Sequence, residues 1–178
     1  MRFGIQTLVM IALSAPAFAT ETHCKGNEAN LRMVEEMTEV LFNKRDEAQA
    51  PKYYAPEVIS HNADRGGGET QRVPIANMQK MWRDSKANSP DRKLVNDLII
   101  CADDLVVVRV TLSATMTSPM GNIPANGKKY TTTATDTYRL KDGKVVERWG
   151  NNDQITILKQ LGILEAYAKQ EAAKPYQT

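Results

Sequence analysis

The sequence predicts an α+β fold, and two features support this prediction. Hydrophobic residues with helical spacing dominate the first half of the chain, whereas four segments with strand-like alternation follow one another between residues 94 and 153. The last two of these segments flank Asp142-Gly143, a dipeptide that favours a two-residue hairpin turn. Helices followed by an antiparallel meander are typical of α+β proteins rather than of alternating β-α units.

The first 19 residues have the composition of a secretory signal peptide. Arg2 precedes an apolar run from Ile5 to Leu13, and Ala17-Phe18-Ala19 provides a small-x-small cleavage pattern. The apolar run is too short to form a permanent transmembrane helix. We therefore expect a periplasmic or secreted protein, with no membrane partner after cleavage, whose mature chain starts near Thr20 and forms one domain.

Charge and metal-ligating residues limit the possible partners. Loss of Arg2 with the signal peptide lowers the formal net charge from +2 to +1, which does not indicate binding to nucleic acid or to an anionic membrane. Two histidines, His23 and His61, and two distant cysteines do not have the spacing of a zinc site, so we expect no metal. Cys24 and Cys101 either form a disulfide or stay apart, one in a loose N-terminus and one buried in a strand.

The first half of the mature chain is expected to contain two helices and one strand. In the first helix, apolar residues recur at Leu31, Val34 and Met37 with polar residues between them. Residues 63–70 contain three glycines without the other parts of a phosphate-binding loop, and form either a flexible lid or an ordinary loop. The expected elements are a helix over 27–43, a helical turn over 46–54, a strand over 57–62 and a helix over 72–87.

The second half is expected to form an antiparallel sheet. Val106, Val108 and Val110 share one face of the third strand, and polar residues such as Arg109 alternate with them. Asp153 can cap the helix that follows the last strand, and Gly162 can end it. The expected elements are strands over 94–101, 105–117, 130–141 and 144–153, a loop over 118–127, and helices over 154–160 and 163–174.

The hairpin turn fixes the register that we expect between its two strands. Counting back from Asp142-Gly143, the pairs are Leu140 with Val145, Tyr138 with Glu147, Asp136 with Trp149 and Ala134 with Asn151. Alternation places Asp136 on a mostly apolar face, while the odd-numbered residues from Thr131 to Arg139 form a polar face. A carboxylate on the apolar face is either a structural acid, satisfied by Arg139 or backbone N–H groups, or a working group.

A working Asp136 could remove a proton from a carbon next to a carbonyl and return it elsewhere. Such chemistry needs a neutral donor for the enolate oxygen. The side chains that we consider as donors or pocket walls are His61, Asn62, Trp82, Tyr138, Trp149 and Asn151. Alternation puts His61 and Asn62 on opposite faces. The tryptophans are either pocket walls or core, and the asparagines are either donors or turn and cap residues. Glu147 is either a second acid or a salt-bridge partner.

Four stretches resemble the SnoaL-like family of the nuclear transport factor 2-like superfamily: YYAPEVISHN, LIICADDLVVVRVTLSAT, GNIPANGKKYTTTATDTYRLKDGKVVERWGNNDQ and LKQLG. The resemblance covers roughly Asn30 to Gly162. It implies a cone-shaped barrel, a strongly curved antiparallel or mixed sheet closed by N-terminal helices. It also implies cofactor-free chemistry, as in polyketide cyclases that close a ring by an intramolecular aldol reaction, and a homodimer formed through the sheet face.

The resemblance also assigns roles to residues. The D-x-Y-R motif of the cyclases makes Asp136 the general acid/base, whereas the family histidine on the preceding strand is replaced by Met116. A methionine cannot titrate, and Met116 then lines the pocket mouth with Met120 and Ile123 or fills core. The chain divides into a signal peptide (1–19), a loose N-terminus (20–29), the cone domain (30–162) and a C-terminal helix and tail (163–178).

Three functions are compatible with these features. The first is an exported, cofactor-free enzyme of cyclase, isomerase or hydrolase type that uses Asp136 on a small carbonyl compound. The second is a non-catalytic protein that binds a small apolar ligand in the same pocket. The third is an interaction module whose sheet face dimerises. The signal peptide argues against polyketide biosynthesis, which is intracellular.

Overall fold

In the part of the chain that the structure describes, seven strands form one curved, open sheet, with Glu21–His23 at one edge and Thr70–Pro74 at the other. The computed structural model describes residues 19–62, 70–119 and 124–172, so most of the predicted signal peptide and parts of two predicted loops lie outside the described residues. The elements are β1 (Glu21–His23), α1 (Glu28–Met37), α2 (Ala50–Tyr53), β2 (Tyr54–Asn62), β3 (Thr70–Pro74), α3 (Ile75–Asn88), β4 (Lys93–Ala102), β5 (Leu105–Thr115), β6 (Lys129–Lys141), β7 (Lys144–Asn152), α4 (Gln154–Gln160) and α5 (Ile163–Ala172). The α+β class is confirmed.

The centre of the sheet is the predicted antiparallel meander of β4, β5, β6 and β7. Parallel pairs flank it on both sides, β1 with β4 and β7 with β2, and β3 closes the order as an antiparallel edge. The sheet curves without closing into a barrel. No helix among the described residues is long and apolar enough to span a bilayer.

The N-terminal segment corrects the expectation of a loose end. Glu21–His23 pair in parallel with Leu98 to Ile100 on β4, and Cys24 forms a disulfide with Cys101 at the end of the same strand. The sequence separation of 77 residues gave no sign of this proximity. The disulfide therefore ties the segment that contains β1 to one edge of the sheet.

The segment before α3 corrects a second expectation, because a helix over 72–87 was predicted and residues 70–74 form β3 instead. Pro74 has an extended conformation and stands just before the first helical residue, Ile75. A residue that precedes proline is biased away from helix, which explains why Val73 continues the strand. Val73 pairs with Val58 of β2, so β3 extends the sheet beyond β2.

The helices cover the inner face of the sheet, which we define as the face that carries Val106, Val108 and Val110 of β5. α1 contributes the buried residues Val34 and Met37, and the π-helical segment Thr38–Asn43 that continues it contributes Leu41, while α3 contributes Trp82. The alternation predicted for β5 and β6 is confirmed, since Thr132, Asp136, Tyr138 and Leu140 are all buried. The opposite, outer face carries Thr131, Thr133, Thr135 and Thr137 of β6.

Arg45 fixes the C-terminal end of α3. Its buried guanidinium donates hydrogen bonds to the carbonyl oxygens of Ser85, Ser89 and Pro90, at 3.2, 2.5 and 2.9 Å. The last carbonyl groups of a helix have no partner within the helix, and a guanidinium can satisfy several of them at once. This end of α3 is therefore held at a fixed position over the sheet.

The hairpin between β6 and β7 contains a bulge that the sequence did not reveal. Asp142 and Gly143 have φ values of 52° and 71°, as a tight turn of mirror-image type requires, and Leu140 pairs with Val145 as predicted. The register then shifts between Arg139 and Leu140. The observed pairs beyond the shift are Arg139 with Glu147, Tyr138 with Arg148, Thr137 with Trp149, Asp136 with Gly150, Thr135 with Asn151 and Ala134 with Asn152.

The bulge makes three predicted pairs wrong, namely Tyr138 with Glu147, Asp136 with Trp149 and Ala134 with Asn151. A bulge adds one residue to one strand, and one added residue exchanges the two faces of that strand beyond it. Arg148 and Gly150 consequently share the inner face with Asp136. Trp149 and Glu147 lie on the outer face.

Candidate functional site

A cavity of about 560 Å³ lies between the inner face of the sheet and α3. Its apolar wall includes Phe42, Met78, Trp82 and Leu112, and its polar wall includes Asp136. The remaining lining residues are Tyr54, Met81, Ser85, Ser89, Arg92, Leu94, Val110, Tyr130, Thr132, Ala134, Arg148, Asn151, Asn152, Gln154 and Ile157. The predicted working carboxylate therefore lies on the wall of a cavity large enough for a small organic molecule.

Asp136 and Arg148 form an ion pair in the cavity wall. Nε and Nη2 of Arg148 donate hydrogen bonds to Oδ1 of Asp136 at 3.0 and 2.6 Å, and the Asp136 side chain is only 12% exposed. Both hydrogen bonds go to the same oxygen, which leaves the lone pairs of Oδ2 for other partners. The expected partner, Arg139, lies on the outer face, so the structure replaces it with Arg148.

Gly150 provides the space for this ion pair. It lies opposite Asp136 on β7, and a Cβ atom at this position would lie 2.5 Å from Nη2 of Arg148 and 2.6 Å from Oδ1 of Asp136. Distances this short cannot be accommodated without moving the charged groups. Because Gly150 has no side chain, the guanidinium of Arg148 can occupy the space above it and reach the Asp136 carboxylate on β6.

Two tyrosines extend the polar cluster. Burial raises the pKa of Tyr138 well above its ordinary value, and the negative charge of Asp136 raises it further. Burial likewise raises the pKa of Tyr54. Burial alone would lower the pKa of Arg148, but the nearby Asp136 outweighs that effect and the pKa lies above its ordinary value. Both phenols are therefore protonated and Arg148 is charged at any physiological pH.

Three side chains of the cavity wall carry buried polar atoms without a hydrogen bond of good geometry among the described residues. They are the Tyr54 hydroxyl, the indole Nε1 of Trp82 and the amide Oδ1 of Asn152. Buried polar atoms in folded proteins nearly always have partners, and exceptions point to water or a ligand. The cavity is therefore suited to a molecule that carries polar atoms on an apolar frame.

The structure brings some of the predicted site residues to the cavity and places others elsewhere. Asp136, Trp82 and Asn151 line it, and Tyr138 is buried beside Asp136. Met116 is buried in a separate cluster with Ile157 and Leu161 and is absent from the described cavity wall. Asn62 pairs with Gly150 through the β2–β7 register, and its side chain lies outside the described part of the structure, as do Met120 and Ile123.

His61 and Trp149 lie on the outer face, outside the described cavity wall. The two rings stack at 4.9 Å with an interplanar angle of 8°, and Nε2 of His61 contacts Oε1 of Glu147 at 2.8 Å. Arg139 donates to Oε2 of Glu147 at 2.9 Å and to Asp104 at 2.8 Å. The hydrogen bonds from His61 and Arg139 lower the pKa of Glu147, which makes this carboxylate an ion-pair partner and not a second acid of the cavity.

Sequence reasoning missed Arg148, Tyr54 and Asn152. The register expected without a bulge places Arg148 on the outer face of the sheet. The bulge moves it to the inner face, and nothing in the sequence indicates that bulge. Tyr54 begins β2 directly after a helical turn, where alternation cannot be counted. Among the described residues no group of three or more His, Cys, Asp or Glu side chains could hold a metal ion.

The curved sheet, the helices on its inner face and the cavity between them define the nuclear transport factor 2-like class of α+β proteins. Within that class the chain belongs to the SnoaL-like polyketide cyclase family, whose model matches residues 32–161. This span includes α3, all strands from β2 to β7, and every described residue of the cavity wall.

Solved structures similar to this chain include three with related descriptions. IdmH, a candidate polyketide cyclase from Streptomyces antibioticus, is 24% identical, with 75% of this chain and 98% of IdmH covered and a TM-score of 0.64. AclR, a candidate hydroxylase from Streptomyces galilaeus, is 24% identical over 76% and 96% of the two chains, with a TM-score of 0.64. A SnoaL-like polyketide cyclase from Agrobacterium tumefaciens is 16% identical over 75% and 98%, with a TM-score of 0.63.

Identities this low show a shared fold and no more. Among curated protein sequences, none matches this chain. The chemistry of the cavity must therefore be inferred from its own residues.

The role of Gly150 can be tested by Gly150→Ala. The added methyl group would displace Arg148 from Asp136, and a disrupted buried ion pair costs about 3–5 kcal/mol of the free energy of unfolding. Urea unfolding followed by circular dichroism measures this loss. Gly143→Ala is the control for loss of a glycine, because nothing lies within 4 Å of a Cβ there and only backbone strain from its φ of 71° is added. A Gly150→Ala variant no less stable than wild type would show that the ion pair does not need this space.

Proposed function

We propose that this chain is a cofactor-independent enzyme that acts on a small carbonyl compound, with Asp136 as general acid/base. One observation carries the proposal: the Asp136 carboxylate lies on the wall of the cavity, with Oδ1 held by Arg148 and the lone pairs of Oδ2 not used by that ion pair. A carboxylate held in this way is oriented before a substrate enters, which general-base catalysis requires.

The proposed reaction begins with proton transfer from carbon. Oδ2 of Asp136 accepts a proton from the carbon next to the substrate carbonyl, the electrons of the C–H bond form a C=C bond, and the carbonyl oxygen becomes an enolate oxygen. The enolate carbon then either attacks a second carbonyl carbon, as in an aldol ring closure, or takes a proton back at another carbon. Asp136 returns its proton to the new alkoxide or carbon, so charge and atoms balance.

Arg148 has two roles in this scheme. Its hydrogen bonds to Oδ1 keep Asp136 in one orientation, and its positive charge stabilises the carboxylate. After proton transfer the same charge lies near the enolate and offsets the negative charge that has moved there. The family membership supports this class of chemistry, since a cyclase and a simple isomerase share the first proton transfer.

A non-catalytic binding protein is the second candidate. Two observations favour it. The described cavity wall contains no histidine, and the ion pair with Arg148 is also the partner that a purely structural Asp136 would need. Such a protein would hold a small, largely apolar ligand in the same cavity without turnover. Loss of the family histidine to Met116 is compatible with this function.

Proton exchange separates the two candidates. 2-Tetralone is a bicyclic ketone with acidic C–H groups next to its carbonyl, and deuterium uptake from D₂O can be followed by NMR. The wild type should accelerate uptake, and Asp136→Asn should reduce the acceleration about 100-fold or more, because general acid–base catalysis contributes that amount. Asp104→Asn is the matched control, since Asp104 also pairs with an arginine but lies at an exposed turn.

Two outcomes would contradict the enzymatic proposal. Exchange in the wild type at the uncatalysed rate would favour the binding protein, and unchanged exchange in Asp136→Asn would remove Asp136 from the mechanism. If the single variant does not fold because Arg148 is left buried and unpaired, the double variant Asp136→Asn/Arg148→Met removes both charges and serves in its place.

We also propose that the protein is exported and that cleavage follows Ala19. Residues 1–19 have the signal pattern described above, and the Cys24–Cys101 disulfide fits an oxidising compartment. Intact-mass spectrometry of the chain recovered outside the cytoplasm of the producing cell should give a protein that starts at Thr20 and has no free thiol. A chain that keeps residues 1–19 and two free thiols would contradict export.

A homodimer through the outer face is proposed as well. Val95 and Ile100 of β4 are 43% and 38% exposed and lie on that face beside the polar residues of β5. Sedimentation velocity of the mature chain should give the mass of a dimer, and Ile100→Lys should give a monomer because a charge cannot be buried there without a partner. Ile155→Lys on α4, also exposed, should leave the dimer intact; a monomeric wild type would refute the proposal.

A further inference from the structure

Tyr54 and Trp82 are neighbouring aromatic residues of the cavity wall, and each carries one hydrogen-bond donor. Each residue is 1% exposed, and their ring centroids lie 5.5 Å apart. Neither the Tyr54 hydroxyl nor the Trp82 indole N–H has a hydrogen bond of good geometry with a described residue. Both residues line the cavity, although they come from different elements, β2 and α3.

The chemistry of these groups determines what would satisfy them. An indole N–H can only donate a hydrogen bond. The Tyr54 hydroxyl stays protonated because burial raises the pKa of this phenol, and so it too is available as a donor. Two buried donors without acceptors are unfavourable in a folded protein, and the missing acceptor must come from whatever occupies the cavity.

We infer that Tyr54 and Trp82 form a two-donor site that binds one oxygen atom of the cavity ligand, either a carbonyl oxygen or an enolate oxygen. Phe42, Met78 and Leu112 line the cavity as well, so the oxygen would be carried on an apolar frame. A ligand whose only polar group is a donor, such as an ammonium group, would leave the indole N–H of Trp82 without an acceptor. The ligand class is therefore an apolar ketone, aldehyde or ester.

This site rests on the proposed function and adds to it the position of the substrate oxygen. Tyr54 lies close enough to Asp136 and Arg148 for their charges to influence its pKa. A carbonyl oxygen bound by Tyr54 and Trp82 would therefore hold its neighbouring carbon near the Asp136 carboxylate. As Asp136 removes the proton, negative charge develops on the oxygen, and two fixed donors aimed at it would stabilise that charge.

A structural role for the Tyr54 hydroxyl is the competing explanation, because the Tyr138 hydroxyl lies within reach of a weak hydrogen bond to it. The two explanations differ in their effect on stability. Removal of a hydroxyl that has no partner leaves the free energy of unfolding unchanged or raises it, whereas removal of a paired hydroxyl lowers it. Tyr54→Phe makes this change with the ring retained.

The test measures binding of two probes of the same shape, 2-tetralone and its hydrocarbon counterpart tetralin, by ligand-observed NMR. Tyr54→Phe should lower the affinity for 2-tetralone relative to tetralin about fivefold, the loss expected for one hydrogen bond. Trp82→Phe should also lower the affinity for 2-tetralone relative to tetralin. Tyr53→Phe is the matched control, because Tyr53 is also buried, is adjacent in sequence, and is absent from the described cavity wall.

The expected result combines two readouts: a lower 2-tetralone preference in Tyr54→Phe, with a melting temperature equal to or above that of the wild type. An unchanged preference in both Tyr54→Phe and Trp82→Phe would overturn the inference. A lower melting temperature of Tyr54→Phe with an unchanged preference would assign the hydroxyl to structure. Binding is measured without turnover, so these outcomes are independent of whether Asp136→Asn abolishes proton exchange.

Discussion

The buried ion pair between Asp136 and Arg148 depends on a local irregularity of the sheet. A charge in this position is tolerated only when a partner and hydrogen bonds compensate for its lost hydration. The partner is on the correct face because the register of β6 and β7 shifts by one residue near the turn. Gly150 then supplies the space through which the guanidinium reaches the carboxylate. Without the shift, Trp149 would lie opposite Asp136 and the carboxylate would have no cation.

The two faces of the sheet use polar side chains in different ways. On the outer face, His61, Glu147, Arg139 and Asp104 form a continuous chain of ion pairs and hydrogen bonds that crosses from β2 to the β4–β5 turn. On the inner face, Tyr54 and Trp82 keep donors that the described residues do not satisfy. A satisfied network favours a fixed structure, whereas unsatisfied donors around a cavity favour binding of another molecule. This contrast is the physical basis for locating function on the inner face.

Much of the fold followed from local patterns. The helical spacing of α1, the alternation of β5 and β6, the Asp142-Gly143 turn and the Asp153 cap of α4 all agree with the structure. The two edge strands did not follow, because β1 has three residues and β3 has five, too few for alternation to be recognised. β1 is placed by its pairing with β4, which is distant in sequence. β3 is placed by its pairing with β2, and Pro74 at the end of β3 indicates the start of a helix and so conceals the strand.

The sequence by itself determined that Asp136 lies on the inner face, because alternation along one strand is a local property that needs no partner. It also determined the family, through motifs that span β2 to β7. Only the tertiary structure decided which residues surround Asp136, since a single bulge exchanges the faces of the neighbouring strand and leaves no mark in composition. The same holds for the Cys24–Cys101 disulfide and for the meeting of Tyr54 with Trp82. Each joins residues far apart in the chain, and only the packing of helices on a curved sheet brings them together.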